Sequence, residues 1–255
     1  MKHQLCLGYA AAIATILLLS CGDKPSVPAT ARETGRRALY FAQKTSNPPI
    51  IDGIPNDPAW QAARWYQIDQ PWMGDTIAKE GGSGRFQVLW DENQLYILVE
   101  TVDDALVQNM DALRGYSQDD GLIIMVDEDH SGGNFQNTHN AFTYFIGLDS
   151  SVVDRALDGT FRYYNDHARS ARTCLGTVCL WEIVVKLYPD SYQDDGDDNR
   201  PVRITTGKKI GFAIAYADND GGSARDNLLG SVPLTRVVNE RTLDASVFGT
   251  LECED

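Results

Sequence analysis

Acidic side chains are concentrated in short segments of this 255-residue chain, such as those at positions 127–129, 194–198 and 218–220. Carboxylate and amide oxygens are the hard ligands that Ca²⁺ prefers in proteins. Neighbouring carboxylates repel one another when no cation is present, so each segment is a candidate calcium site. The competing interpretation is that these charges serve solubility. The candidate ligands are Asp127, Asp129, Asp218 and Asp220.

The segment from Asp127 to Asn140 is polar throughout and has little that a core could bury. It contains His130 and His139, and His167 lies further along the chain. Converging imidazoles would suit zinc or copper, whereas Asp, Asn and backbone oxygens suit calcium. Because the histidine spacing matches no metal-binding motif, the segment is interpreted either as a solvated loop of local turns or as a calcium-binding loop.

The N-terminus has the pattern of an export signal. A basic start precedes an apolar run over Leu5–Leu19, and the small Ser20 stands directly before Cys21. This combination is typical of a lipoprotein signal peptide. The run is shorter than the ~20 residues of a membrane-spanning helix. We therefore expect residues 1–20 to be removed and Cys21 to carry a lipid anchor.

Residues 21–37 are rich in Pro, Ser, Thr and charge without an apolar period, which predicts a disordered tether before one globular domain at 38–255. We expect such a bacterial lipoprotein to be located in the cell envelope, with its lipid anchor inserted in the outer membrane. The formal net charge of the chain is −14, and it becomes −15 when Lys2 leaves with the signal peptide. This charge argues against nucleic acid as a partner, because phosphates are neutralised by Lys and Arg.

Three cysteines remain in the predicted domain, at positions 174, 179 and 253. Export places them in an oxidising compartment, where thiols pair. The four residues between Cys174 and Cys179 include a glycine and are enough for a hairpin turn, so facing cysteines there could reach the ~5.5 Å Cα separation of a disulfide. We predict the Cys174–Cys179 disulfide, with a Cys179–Cys253 pair as the alternative.

Apolar patterns predict the strands that must position these side chains. Arg85–Asp91 and Gln94–Val102 read as a β-hairpin, and a short helix over 57–63 should begin with Asp57 as its cap and Pro58 in its first position. The result is an all-β fold, a single antiparallel β-sandwich with a short helix near its start. Further strands are predicted at Gly121–Val126, Ala141–Leu148, Leu180–Tyr188, Ile210–Ala217 and Phe248–Leu251.

Four segments follow one another in a specific order: Ile51–Trp60, Phe86–Asp104, Gln118–Asp127 and Ile210–Gly221. Together they resemble the family 9 carbohydrate-binding modules, which are DOMON-like β-sandwiches, over roughly residues 38–253. The resemblance implies sugar binding, often at chain ends, with bound calcium in characterised members. The aromatic residues within these patterns are interpreted as core. They are Trp60, Trp90, Tyr96, Phe142 and Trp181.

A sugar site needs an aromatic face against a pyranose ring and polar groups for its hydroxyls. In the family, two tryptophans clamp the sugar. Here Tyr116 or Ser117 holds the first place and the second falls near Ser231, so the clamp is at best half present. The resemblance places the sugar between the loops before Gln118 and after Asp220. The carbohydrate-binding residues we predict are Trp72 and Tyr116 for stacking, with Asp119, His139, Asn140 and Asn227 for hydrogen bonds.

Three classes of function remain. The first is non-catalytic binding of an oligo- or polysaccharide by a membrane-anchored lipoprotein. Catalysis is not expected, because the chain has no nucleophile elbow, no His-Glu-x-x-His and no identifiable carboxylate pair. The second is a haem-binding electron-transfer module of similar fold, with Met110, Met125, Lys186 and the histidines available as axial ligands. The third is a structural envelope protein that binds no sugar.

Overall fold

The computed structural model describes residues 37–74, 83–109, 111–234 and 243–255. The predicted signal peptide, lipid anchor and tether lie outside the described residues. All described residues belong to one compact unit, Gly35–Asp255. Within these ranges, no helix has the length and apolar composition needed to cross a bilayer.

Strands are the main regular structure of the described chain, and the helices are short. The strands are β1 (Leu39–Lys44), β2 (Tyr66–Ile68), β3 (Gln70–Met73), β4 (Ser83–Trp90), β5 (Leu95–Val102), β6 (Gly121–Asp127), β7 (Phe142–Gly147), β8 (Val152–Arg155), β9 (Phe161–Tyr163), β10 (Ala168–Leu175), β11 (Val178–Val185), β12 (Lys209–Asp218), β13 (Asn227–Gly230) and β14 (Gly249–Glu254). The helical segments are 3-10 turns at Pro58–Ala62, Tyr116–Gln118 and Ala245–Val247 and helix α1 at Ala112–Gly115.

The strands form one hydrogen-bonded path in the order β10-β11-β5-β4-β1-β14-β12-β6-β7-β8-β9, with β2, β3 and β13 attached beside it. Most neighbours are antiparallel, but β1 runs parallel to both β4 and β14. Strand β1 therefore joins a first half (β10, β11, β5 and β4) to a second half (β14, β12 and β6 to β9).

The inner faces of the two halves share one apolar core. Tyr40 on β1 makes edge-on ring contacts with Phe86 of the first half and Phe212 of the second half, at centroid distances of 5.3 and 6.1 Å. The predicted all-β, sandwich-like fold is confirmed. The aromatic residues predicted as core are all buried. They are Trp60, Trp90, Tyr96, Phe142 and Trp181.

The predicted short helix is a single 3-10 turn, Pro58–Ala62, with Pro58 in its first turn. Asp57 precedes it as predicted, but the Asp57 side chain makes no capping bond to the turn. Its carboxylate instead accepts a hydrogen bond from the backbone N–H of Ile50 at 3.1 Å. The Asp57 side chain therefore stabilises the loop that precedes the helical turn and does not cap the turn itself.

A buried carboxylate fixes this part of the chain to the outer face of the first half. Glu182 on β11 is fully buried, and its Oε2 accepts the backbone N–H groups of Asp52 at 3.2 Å and Gly53 at 2.9 Å. Its Oε1 accepts the indole N–H of Trp60 at 2.9 Å. Gly53 has φ +83°, and a Cβ there would lie 2.9 Å from the backbone of Arg172, so only glycine fits this close approach.

Cys174 and Cys179 form a disulfide, as predicted. They face each other on β10 and β11, and the turn between them uses Gly176 at φ +62°. Cys253 is a free, buried thiol on β14, which pairs with β1 and β12 and not with β11. The structure therefore does not contain the alternative Cys179–Cys253 pair.

Candidate functional site

Three buried carboxylates meet at one end of the second half, from Asp103 after β5, Asp120 before β6 and Asp218 at the end of β12. One oxygen of each lies within 4.8 Å of the others. Strands β6 and β12 are antiparallel with Gly121 opposite Ala217, which brings the second and third carboxylates together. We call these three residues the acidic cluster.

Backbone donors from the surrounding loops and a side-chain donor from β12 hold the acidic cluster in place. Asp120 accepts the backbone N–H of Val107 at 2.5 Å and that of Asn219 at 2.6 Å. Asp103 accepts a hydrogen bond from the hydroxyl of Tyr216. Each carboxylate oxygen has two lone pairs, so these bonds leave acceptor capacity for a further ligand.

Burial raises the pKa of Asp120 to about 7 and that of Asp218 to about 6. In both cases the neighbouring carboxylates add to the effect of burial. The side-chain amide of Asn227 donates to Asp218 at 3.0 Å and acts in the opposite direction. An oxygen-only set of mutually repelling carboxylates is an arrangement that a hard cation such as Ca²⁺ would stabilise.

The loops before β6 and after β12 are in direct contact around the acidic cluster. Besides its backbone bond to Asp120, Asn219 donates from its side chain to the backbone carbonyl of Gln118. Asp119, which was predicted to bind sugar, is buried and accepts the backbone N–H of Asn109 at 2.8 Å. The structure therefore brings Asp119, just before β6, and Asn227, the first residue of β13, to the same end of the fold.

Tyr116 is also near these loops, but it is 6 % exposed. Its ring packs against Phe145 and Phe161 at centroid distances of 5.1 and 5.0 Å. The predicted stacking residue thus covers the outer face of the second half. It offers a sugar no open ring face in this structure.

Trp72 is fully buried, which corrects its prediction as a stacking residue. Its indole N–H donates to the backbone carbonyl of Val232 at 2.8 Å. The ring lies so close to Gly230 that a Cβ there would be 2.0 Å from a ring carbon. Trp72 is a core residue that packs directly onto the backbone of β13.

His139 and Asn140 lie at the opposite end of β6 from Asp119. Strand β6 spans Gly121–Asp127, so its ends are about 20 Å apart at ~3.3 Å per residue. His139 is buried with its Nε2 2.9 Å from a carboxylate oxygen of Asp194. The side chain of Asn140 donates to a backbone carbonyl of its own loop at 2.7 Å. The predicted sugar-binding residues therefore do not form one site.

The four predicted calcium ligands are divided in the same way. Asp127 lies opposite Gly211 on β12, at the far end from Asp218. It is buried, which raises its pKa to about 6, whereas Asp129 is exposed. Asp220 is exposed and lies outside the acidic cluster. A single calcium ion therefore cannot bind both the Asp127–Asp129 pair and the Asp218–Asp220 pair.

The acidic cluster contains two residues that the sequence analysis missed as ligands, Asp103 and Asp120. Asp103 directly follows the predicted strand Gln94–Val102, and Asp120 directly precedes the predicted strand Gly121–Val126. Acidic residues at the ends of predicted strands were the available signal. Only the strand pairing shows that these ends meet.

Two of the described histidines, His139 and His167, are packed among aromatic rings, whereas the Nε2 of His130 lies 3.1 Å from the hydroxyl of Thr250. His139 stacks on Phe142 with ring centroids 4.8 Å apart, and His167 stacks on Tyr188 at 3.9 Å. Burial lowers the pKa of His167 to about 4, and its Nδ1 lies 2.9 Å from the hydroxyl of Tyr144. Because these rings fill the surrounding space, the geometry does not favour haem ligation here.

The other candidate axial ligands give the haem hypothesis no further support. Met125 is fully buried on β6, and the Nζ of Lys186 donates to the backbone carbonyl of Asp166 at 2.9 Å. Met110 lies outside the described residues.

Comparisons with known proteins agree with this fold. A family model described as "Carbohydrate family 9 binding domain-like" matches residues 51–255. A family 9 carbohydrate-binding module from Caldicellulosiruptor kristjanssonii is similar in two structures, one in complex with cellotriose and one with glucose. Both have a TM-score of 0.60 and 17 % sequence identity, and the alignments cover 85 % of this chain and 93 % and 95 % of those chains.

No curated protein matches the chain. At 17 % identity, the likeness to the solved structures shows the fold. The family model extends over most of the sequence, from residue 51 to residue 255. The chain therefore belongs to the carbohydrate family 9 binding domain-like family, a family of carbohydrate-binding domains.

Proposed function

We propose that this protein is a non-catalytic carbohydrate-binding lipoprotein of the bacterial cell envelope, whose ligand is an oligo- or polysaccharide. Family membership over residues 51–255 carries the proposal. A module of the same fold has been solved in complex with cellotriose and with glucose. The export signal and Cys21 in the sequence support the envelope location and the lipid anchor.

A sugar position beside the acidic cluster is supported by the groups available there. Asn227 is half-buried, and Asp220 and Asp226 in the adjoining loop are exposed. Amide and carboxylate groups of this kind exchange hydrogen bonds with sugar hydroxyls. Tyr116 and Trp72, the rings predicted to stack on the sugar, are buried. Polar contacts exchange nearly evenly with water, so we expect millimolar affinity, about 4 kcal/mol of binding free energy.

Replacing Asn227 by alanine should weaken the binding of cellotriose about fivefold, because one hydrogen bond contributes ~1 kcal/mol. Asn140→Ala is the matched control, since this asparagine belongs to the same predicted set but lies at the other end of β6. Both variants can be titrated by NMR after a glycan array has identified the preferred sugar. If Asn140→Ala weakened binding and Asn227→Ala did not, the sugar site would lie at the end of β6 near Asn140. Failure of the wild-type protein to bind any glycan would refute the proposed function.

We also propose that calcium binds the acidic cluster as a structural cofactor. Asp103, Asp120 and Asp218 supply oxygen ligands of the type that Ca²⁺ prefers. Within the family model's range these residues lie at the ends of three different strands, β5, β6 and β12, so an ion there would join the chain segments that border the sugar position. The cation would neutralise the Asp103 carboxylate, whose charge contributes to the raised pKa of both Asp120 and Asp218.

Millimolar calcium should raise the melting temperature of the chelator-treated protein by several degrees. An ion at a hundredfold its Kd stabilises a fold by about 2.7 kcal/mol. Asp120→Asn should abolish this shift, measured by differential scanning fluorimetry. Asp129→Asn, an exposed carboxylate at the far end of β6, should keep it. The reverse pattern would assign calcium to the 127–129 loop, and no shift in the wild type would contradict calcium binding altogether.

A further inference from the structure

The outer face of the first half carries an open strip of side chains that crosses five strands. The strand register places one of these residues on each of β2, β4, β5, β11 and β10. All of them are exposed or half-buried, and the neighbouring row on the same strands faces the core. With strands ~4.8 Å apart, the strip is about 19 Å long. Its residues are Gln67, Arg85, Glu100, Leu180 and Thr173.

An exposed tryptophan lies at the β2 end of this strip. Trp65 is 37 % exposed, and the guanidinium carbon of Arg85 lies 4.2 Å from the centroid of its ring. Arg85 is held in turn by Glu100 through two parallel hydrogen bonds of 2.8 Å, from Nε to Oε1 and from Nη2 to Oε2. A bidentate pair fixes the plane of the guanidinium. The indole is therefore supported on one face by an oriented group, so stacking on it requires little further ordering.

The charges of the strip compensate one another, although the whole chain carries −14. Arg85 and Glu100 form an ion pair, and the remaining strip residues are uncharged. An acidic polymer would need unpaired cations. The exposed apolar side chains of this face do not form one patch, because the Arg85–Glu100 ion pair separates Trp65 on one side from Leu180, Val178 and Leu175 on the other. A protein partner would need a larger contiguous apolar patch. A neutral polysaccharide, by contrast, could stack on the aromatic ring of the strip and form hydrogen bonds with its amide, hydroxyl, guanidinium and carboxylate groups.

From this arrangement we propose that the strip is a second carbohydrate-binding surface, which binds along a neutral polysaccharide chain with Trp65 as its stacking residue. The inference rests on the proposed function and extends it from short sugars to the body of a polymer. Three residues of extended chain separate Glu100 from Asp103, about 10 Å. The strip thus begins close to the loops of the acidic cluster.

The test compares a neutral soluble β-glucan, hydroxyethyl cellulose, with cellotriose on the mature protein. Trp65→Ala should weaken binding of the polymer about tenfold by affinity electrophoresis and leave the Kd of cellotriose unchanged, because loss of the ring removes the stacking contact. Trp65→Phe should restore most of the affinity for the polymer. The matched control is Tyr163→Ala, which removes another exposed aromatic ring from the edge strand β9 of the other half.

If the wild type binds cellotriose and Trp65→Ala binds the polymer as tightly as the wild type does, the strip is not a carbohydrate-binding surface. The proposed function would remain intact in that case. The same conclusion would follow if Tyr163→Ala caused an equal loss, or if Trp65→Ala weakened cellotriose as much as the polymer. Tighter binding of polygalacturonate than of hydroxyethyl cellulose would contradict the proposal that the strip binds a neutral polysaccharide. Absence of any glycan binding by the wild type would refute the proposed function and the strip together.

Discussion

Replacement of Glu182 by leucine is expected to lower the free energy of unfolding by about 3–5 kcal/mol. The substitution leaves three donors without an acceptor, the backbone N–H groups of Asp52 and Gly53 and the indole N–H of Trp60. A donor that stays buried without a partner costs ~1–3 kcal/mol. Urea unfolding of the mature protein, followed by tryptophan fluorescence, measures the loss. Glu182→Gln should lose less, because its amide oxygen still accepts one of the three bonds.

The matched control is Glu100→Leu on the adjacent strand β5. Its carboxylate pairs with Arg85, and their side chains are 27 % and 41 % exposed. Partly exposed ion pairs of this kind contribute about 1 kcal/mol or less. Losses of equal size in the two variants would mean that the buried carboxylate does not hold residues 52–60 on the sheet.

Replacement of Cys21 by alanine should move nearly all of the protein from the membrane fraction to the soluble fraction. The thiol of Cys21 is the predicted site of lipid attachment, and each buried methylene of an acyl chain contributes about 0.8 kcal/mol to membrane affinity. Without the lipid, a mature domain with a net charge of −15 has no electrostatic attraction to an anionic leaflet. Fractionation of the producing cells, with immunoblotting of each fraction, measures the change.

Cys6→Ala provides the control, because Cys6 lies within the predicted signal peptide and should leave with it. This variant should remain on the membrane, with a lipid mass on the N-terminal peptide of the mature protein. If Cys21→Ala stayed on the membrane after a high-salt wash, the lipoprotein prediction would be wrong.

Features decided by neighbouring residues were predictable from the sequence. The Cys174–Cys179 disulfide follows from a glycine-containing spacing that closes a hairpin, and the structure contains it. Gly53 follows Asp52 in an Asp-Gly pair, which is a local signal for a turn, and its φ is +83°. Trp60 next to a short helical turn packs onto the sheet, as its pattern indicates. Such features need no knowledge of which strands pair.

Features decided by strand pairing were not predictable in the same way. The acidic cluster exists because the register of β6 and β12 brings Asp120 to Asp218, residues nearly a hundred positions apart. The parallel pairing of β1 is equally remote in sequence. The same register separates His139 from Asn227, although both were predicted to bind one sugar.

Aromatic residues in loops presented a different difficulty. The sequence places Tyr116 and Trp72 close to the expected sugar position, and both rings are buried. Trp65 belongs to none of the four segments that carry the family resemblance, yet more than a third of its surface is exposed. An apolar pattern does not tell whether a ring in a loop faces outward or folds back over the sheet, because that depends on the packing of the whole loop.

Strand β1 is the first strand after the predicted tether, and it lies between β4 and β14 in parallel with both. Tension applied through residue 37 therefore acts along the axis of β1. It loads the hydrogen bonds to both neighbours together, in shear, instead of opening them one after another as a pull on the end of a hairpin would. If the protein is anchored by its N-terminus while it binds a polymer, mechanical force is applied to the middle of its sheet, where β1 joins the two halves. The hydrogen bonds of β1 to both neighbours would then resist that force together.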